Sequence, residues 1–294
     1  MESKPLVSII TPTYNRAEFI GRAIESVLQQ SVIQWELLVV DDGSTDNTND
    51  VLAAYENDPR IHCVYQPNRG QSVARNNALK RIQGDFVGFL DSDDLWCAQK
   101  LELQLAVFET HPDVDIVHGD ESMIDSKGME ISRQNMRRYS GHIARELLAD
   151  NSVSITTALV RRKCFDEMGG FDTSVGVADD YDLWLRFSAR YRFHYEPGIV
   201  ASYRVMEDQI SSDKRRRFAA NEMIIKNFLA KYGDQLDRRD KRWGLARFYC
   251  RSARYFASVG ERGTAMNFVL MAFRNAPLDL VVWRALYRVV VPRT

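Results

Sequence analysis

Three acidic clusters carry most of the chemistry this chain could perform. In Asp91-Ser92-Asp93-Asp94, three carboxylates within four residues repel one another. Withdrawn from water, they cost free energy unless a cation or hydrogen-bond donors offset them. A turn there can swing Asp91 and Asp93 toward one point, and hard carboxylate oxygens suit Mg²⁺ or Mn²⁺. A solvated acidic turn accounts for the tetrapeptide equally well. An EF-hand loop does not, because its downstream Gly and Glu are missing. In Asp41-Asp42-Gly43-Ser44, a carboxylate can accept hydrogen bonds from a ligand, or simply cap the following helix. Asp179-Asp180 precedes Tyr181-Asp182-Leu183-Trp184-Leu185-Arg186. Two acids there complement a helix dipole, or set a general base whose pKa a neighbouring carboxylate raises. A fourth group is basic: Asn68-Arg69-Gly70 leads to Ala74-Arg75-Asn76. An Arg early in a helix can reach phosphate, or can lie on a surface.

The elements that must position these groups are legible in the apolar pattern. Residues 7–10, 35–40, 61–65 and 86–90 read as strands, and residues 19–30 and 70–81 as helices, with a turn over 41–46 followed by a helix to about residue 56. Strict alternation of strand and helix predicts an α/β fold with an open, mostly parallel central sheet flanked by helices. Ligands of such sheets sit beyond the carboxyl ends of strands, where the clusters at Asp41 and Asp91 fall. Beyond residue 99 the alternation loosens. Residues 114–118, 155–160 and 199–205 read as strands, and 182–191 as a helix. From residue 214 the patterns are helical only: 215–232, 241–258, 264–275 and 280–291. A boundary near residue 213 thus separates an α/β body, 1–213, from an all-helical appendage, 214–294.

The 294 residues carry a net charge of −1, with 45% hydrophobic and 27% charged residues. Such a composition builds a sizeable core rather than a disordered chain. The charge is unevenly placed. Residues 214–294 hold 18 Lys and Arg against 6 Asp and Glu, and the remainder 21 against 34. Trp243, Phe248, Tyr249, Trp283 and Tyr287 interleave with the appendage's arginines. That suits an anionic membrane surface, or a solvated bundle with an aromatic core. No nucleic-acid module is recognisable, so nucleic acid is not expected as a partner. No apolar run is long enough to span a bilayer and no signal segment precedes residue 7, which predicts a cytoplasmic protein, peripheral at most on the membrane's inner face. Cys63, Cys97, Cys164 and Cys250 lie far apart, which predicts free thiols and no zinc site.

The order of the motifs is more specific than any one of them. Val7-Ser8-Ile9-Ile10-Thr11-Pro12-Thr13-Tyr14-Asn15-Arg16, then Glu36-Leu37-Leu38-Val39-Val40-Asp41-Asp42-Gly43-Ser44, then Asn68-Arg69-Gly70, then Phe89-Leu90-Asp91-Ser92-Asp93-Asp94 resemble family 2 glycosyltransferases of the GT-A fold. Gly169-Gly170-Phe171-Asp172, the Asp179-Asp180 run and Ser202-Tyr203-Arg204-Val205 continue the resemblance, which covers residues 5 to about 212.

The resemblance implies an inverting transfer of a sugar from a nucleotide diphosphate donor, a UDP-sugar by preference, to an acceptor hydroxyl on a glycan or lipid-linked acceptor, in cell-surface polysaccharide or lipopolysaccharide assembly. It implies that Pro12 and Tyr14 border the nucleobase, that Asp42 accepts a hydrogen bond from it, and that Arg75 lies near the diphosphate. Asp91 would face ribose or metal, and Asp93, or Asp94 in its place, would ligate a divalent Mn²⁺ or Mg²⁺. Asp180 matches the catalytic base, with Asp179 beside it. Two departures stand out. Asp179 occupies a position that is usually Glu, and Met206 one that is often a metal-site His; His194 reads as an ordinary packed residue rather than its substitute. A nucleotidyltransferase, or a silent scaffold that binds sugar nucleotides, remains the alternative. A Rossmann dehydrogenase is disfavoured because no GxGxxG follows the first strand.

Overall fold

The computed structural model describes residues 5–133, 136–206 and 213–291. Strand β1 (Val7–Thr13) is buried throughout, as is β2 (Trp35–Asp41). Both pair in parallel, and β1 also pairs in parallel with β4 (Phe86–Phe89), while β2 takes β3 (Ile61–Tyr65) on its other side. Successive side chains along a strand point to opposite faces. Ile9, Leu37 and Val39 therefore enter one apolar layer, and Ile10, Leu38 and Val40 the other. Near-continuous apolar strands follow from a sheet covered on both faces.

Helix α1 (Ile20–Leu28) buries Ile20, Ala23, Ile24 and Val27, the stripe expected of a 3.6-residue period. Helices α2 (Thr48–Ala53) and α3 (Gln71–Leu79) complete the first half. The nine-stranded sheet has the order β3-β2-β1-β4-β8-β6-β9-β5, with β7 paired to β6. Chain order reverses between β1 and β4, so the crevice for a ligand opens beyond their carboxyl ends.

The second half is mixed rather than parallel. Strand β8 (Leu159–Arg161) runs antiparallel to β4 and to β6 (Ile116–Ile124), whereas β6 and β9 (Phe193–Arg204) are parallel. Two-residue β5 (Leu95–Trp96) and β7 (Glu130–Arg133) close the edges. The structure corrects three sequence expectations here. Residues 155–157 form a 3₁₀ turn, and the strand begins at Leu159. The last strand starts near residue 193, and helices α4 (Lys100–Thr110), α5 (Ala144–Ala149) and α6 (Lys163–Met168) interrupt what read as loose alternation. Antiparallel pairing and short helices leave weaker periodic signals than the βαβ units before them.

Helix α7 (Asp179–Ser188) leads to β9, and four helices follow: α8 (Lys214–Tyr232), α9 (Arg238–Ser258), α10 (Arg262–Asn275) and α11 (Leu280–Val290). The first two do not stand apart. Ile224, Ile225 and Phe228 of α8 and Phe248 of α9 belong to the same apolar cluster as Ile10, Phe89 and Trp184. Helices α10 and α11 pack on α9 through smaller clusters around Ala272 and Val282, and around Val269 and Val289. The four cysteines are free thiols.

Candidate active site

A cleft of about 1010 Å³ opens at the switch point. Loops after β1, β2 and β4 form one wall, with Pro12, Tyr14, Asp42, Asp91, Asp93 and Asp94 on it. The N-terminus of α7 supplies Asp179 and Asp180, and α8 and α9 supply the wall beyond them. The cleft gathers the first-half clusters and the Asp179-Asp180 pair, which lie up to 168 positions apart (12 to 180) in the chain.

Tyr14 is half exposed on the rim. Asn15, at φ 51°, stands in the left-handed region, which Asn tolerates better than most residues. Its backbone N–H donates to Ser44 Oγ, and its Oδ1 accepts from the Thr45 N–H at 2.8 Å, which ties the first two strand-end loops together. Asp42 is buried and well supplied: Gln66 Nε2, the Arg69 N–H and the Gly70 N–H all donate to it, at 2.7, 2.9 and 2.7 Å. Gly43 makes this close approach possible. It sits at φ +79°, and a Cβ there would fall 2.9 Å from the Asn68 nitrogen.

Arg75 is 2% exposed and lies between two carboxylates. Its Nη2 donates to Asp91 Oδ1 at 2.6 Å, and its Nη1 to Asp179 at 2.9 and 3.2 Å. The planar fork suits two acceptors at once. Asp179 also accepts from Ser72 Oγ at 2.7 Å and Gln71 Nε2 at 3.2 Å. Arg75 is therefore the brace that joins β4's end to α7, and Asp179 is saturated by donors.

Asp91, Asp93 and Asp94 are adjacent, but each is held by a different partner. Asp93 forms an ion pair with Arg16 at 3.5 Å, and Asp94 Oδ1 accepts from the Arg204 N–H at 2.9 Å. Burial, then the neighbouring Asp91, pushes the Asp93 carboxyl up, with Arg16 opposing. Burial and then Asp93 and Asp91 push Asp94 well up. Among the described residues, no three His, Cys, Asp or Glu side chains converge as a ready-made ion site. The donor chemistry nonetheless fits a hard divalent cation. The oxygens crowd one another, and Asp94 Oδ2 is buried with no hydrogen-bond partner among the described residues. Met206 is half-buried, and His194 pairs with Glu196 at 3.3 Å beside His111, as an ordinary packed residue does.

Asp180 differs from its neighbour. It borders the cleft, and among the described residues only the Asn151 amide, at 3.0 Å, and the Tyr181 N–H, at 2.8 Å, donate to it. Burial, and then the Asp179 charge, raise its pKa to about 6, with Arg75 opposing. Ala178, immediately before the helix, has φ 61° and ψ 39°, a left-handed conformation that costs a residue with a Cβ about 1–2 kcal/mol. The chain accepts that strain where it turns two acids into the cleft.

A family model described as glycosyl transferase family 2 matches residues 8–169, more than half of the chain. The chain belongs to that family. The putative teichuronic acid biosynthesis glycosyltransferase TuaG of Bacillus subtilis is 57% identical over 104 residues, 35% of this chain and 41% of that protein. The matches span only 26% to 41% of the length of the first such curated relatives. Among solved structures, S. aureus TarS 1-349 in complex with UDP-GlcNAc superposes with TM-score 0.72 at 20% identity, over 96% of this chain and 86% of that one. Mannosyltransferase PcManGT from Pyrobaculum calidifontis, in complex with GDP-Man and Mn²⁺, gives TM-score 0.56 at 21% identity, over 98% and 88%. These likenesses establish the GT-A fold for this family 2 glycosyltransferase.

Several residues of the glycosyltransferase cleft had no sequence role. Arg16 pairs with Asp93, Asn151 orients Asp180, and Arg204 donates its Nε to the Asp93 carbonyl at 2.7 Å. Arg16 and Arg204 fall within quoted motifs, which was a signal. Asn151 carries none, because nothing local marks a residue that acts across 29 positions. Arg217, Phe218, Asn221 and Arg251 also line the cleft, and a helical pattern does not say which residues face a ligand.

Proposed function

We propose that this chain transfers a sugar from a UDP-sugar to an acceptor hydroxyl with inversion at the anomeric carbon, in the assembly of a cell-surface polysaccharide or lipopolysaccharide. The observation that carries the reading is Asp180: a cleft-facing carboxylate with unfilled acceptor capacity, whose pKa of about 6 lies near working pH. A base so tuned is ionised at neutral pH yet still basic enough to accept a proton. The acceptor oxygen would attack the anomeric carbon as Asp180 takes its proton. The bond from that carbon to the donor diphosphate would break, and its electron pair would leave with the diphosphate. Pro12, Tyr14 and Asp42 would hold the nucleoside, and positioning of the two substrates would supply much of the rate. Arg75 would keep Asp91 and Asp179 in place, because its two terminal nitrogens bind those carboxylates, at the side of the cleft where the diphosphate would lie. A divalent cation, Mn²⁺ or Mg²⁺, would be held by Asp93 with Asp91 or Asp94, and when bound would offset charge on the leaving diphosphate.

Thermal denaturation with UDP, GDP, TDP and CDP, each with and without Mn²⁺, tests the donor and the metal together. Binding to the folded state raises Tm with the logarithm of saturation. We expect a rise with UDP that is larger with Mn²⁺. No rise with any nucleotide would overturn the reading.

The outer face of α11 supports attachment to an anionic membrane surface. Leu280, Trp283 and Tyr287 form an exposed stripe beside Arg284 and Arg288, and nearby Leu278 is 92% exposed. No helix among the described residues is long and apolar enough to cross a membrane. Apolar side chains flanked by Arg suit adsorption at the interface. Vesicle flotation should recover more protein with acidic lipid than with neutral lipid; equal recovery would count against it.

A further inference from the structure

The wall of the cleft beyond Asp180 holds side chains that donor chemistry leaves unused. Arg217, Phe218 and Asn221 of α8 and Arg251 of α9 line it. Contacts fix this wall next to the base. Asn151 Nδ2 donates to Asp180, and the preceding residue, Asp150, pairs with Arg251. The Arg251 guanidinium lies 5.4 Å over the Phe218 ring, and Arg217 is the next residue along α8.

Three groups on this wall have unmet demands. Asn221 is only 6% exposed, yet its Oδ1 has no hydrogen-bond partner among the described residues. The oxygen and nitrogen of an amide are assigned rather than observed, so the unmet need is for one polar partner of either kind. A buried polar group without one is costly to keep. Arg217 is half-buried, and although its backbone N–H donates to the Asp213 carbonyl, its guanidinium forms no ion pair or hydrogen bond among the described residues. Arg75 pairs with Asp91 and Asp179, and Arg251 with Asp150, though each keeps a buried Nε that has no partner among the described residues. A half-buried arginine beside a buried, unsatisfied amide is poorly explained by helix packing, which would fill both positions with apolar side chains.

We propose that Arg217, Asn221 and Arg251 form an acceptor subsite for an anionic oxygen group, a phosphate or a carboxylate, carried close to the hydroxyl that Asp180 deprotonates. The proposal rests on the transferase reading above. Arginine donors in a fixed fork match either anion. The subsite joins the basic helical segment to the chemistry: α8 and α9 bring positive charge to the acceptor side of an acidic cleft.

The test uses the whole chain, with and without its preferred nucleoside diphosphate at saturation, titrated calorimetrically with inorganic phosphate, glucuronate or glucose. We expect saturable binding of at least one anion and none of glucose. The preferred anion identifies the group the acceptor bears. Arg217→Gln should weaken that binding about tenfold or more, as loss of a charge-assisted hydrogen bond does, and Arg217→Lys should recover part of it. Asn221→Leu should weaken it too, with nucleotide affinity unchanged. Arg217 lies at the cleft edge, so its variants should keep the wild-type Tm. Neither anion binding to the wild type, or equal binding to Arg217→Gln, overturns the subsite. Anion binding that depends on Arg217 in a chain that binds no nucleotide would keep the anion site but remove its role as an acceptor site, and the transferase reading would fail separately.

Discussion

At the scale of single residues, Asp179 and Asp180 show how environment divides two identical side chains. Asp179 accepts from Arg75, Ser72 and Gln71, so its negative charge is spoken for. Asp180 has fewer donors and a raised pKa of about 6. Its active form is the charged one, so kcat/KM should fall about tenfold per pH unit below that value. A pH–rate profile flat from 5 to 8 would remove Asp180 as the base. Asp180→Asn should abolish transfer while leaving nucleotide affinity intact. It should also raise Tm at pH 8 more than at pH 5. A carboxyl whose folded pKa is raised weighs against folding once the pH passes the unfolded value, and fully above the folded one. Arg75→Met acts differently. It leaves the carboxylate of Asp179 buried and uncompensated, which should cost about 3–5 kcal/mol, read as a lowered denaturation midpoint. Arg75→Lys should recover only part, because an ammonium lacks the fork that reaches both acids.

At the scale of elements, the site depends on how closely α9 approaches α5. Gly244 is the reason it can. A Cβ there would lie 2.5 Å from the Leu148 Cβ and 2.7 Å from the Arg145 carbonyl oxygen, both of α5. The chain leaves α5 directly into Asp150 and Asn151, which hold Arg251 and Asp180. Gly244→Ala should therefore move the two helices apart and destabilise the protein by about 1–3 kcal/mol. It should also lower kcat without altering nucleotide affinity, because the displaced groups lie at the base and not at the nucleobase. Unchanged kcat in a destabilised Gly244→Ala would show that α5 tolerates displacement without moving Asn151.

At the scale of the whole molecule, α8 and α9 share the apolar core of the α/β body, and α10 and α11 pack on α9 through smaller clusters. Ile224, Ile225, Phe228 and Phe248 share one cluster with strand residues from β1 and β4. A chain cut after residue 213 would expose that apolar surface to water. We expect the truncated protein to aggregate or to lose cooperative unfolding, measured by circular dichroism and light scattering. A cooperative, soluble 1–213 fragment would instead make residue 213 a genuine domain boundary.

The sequence alone determined the first half of the fold. In β1 to β4 the local period, the burial and the turn residues agree, and parallel βαβ units admit few arrangements. It also determined the acidic strand ends, because ligands of such sheets bind in the crevice outside the strand carboxyl ends. Tertiary structure alone decided what each acid does. Asp42, Asp91 and Asp179 are carboxylates of one kind on paper, yet Gly70, Arg75 and Ser72 reach them from separate elements. The mixed second half and the docking of α8 and α9 were likewise invisible locally. A helix's apolar face states that it is buried, but not against what, and hydrophobic burial is non-directional. Only the packed chain brings Arg217, Asn221 and Arg251 to the cleft that Asp180 lines.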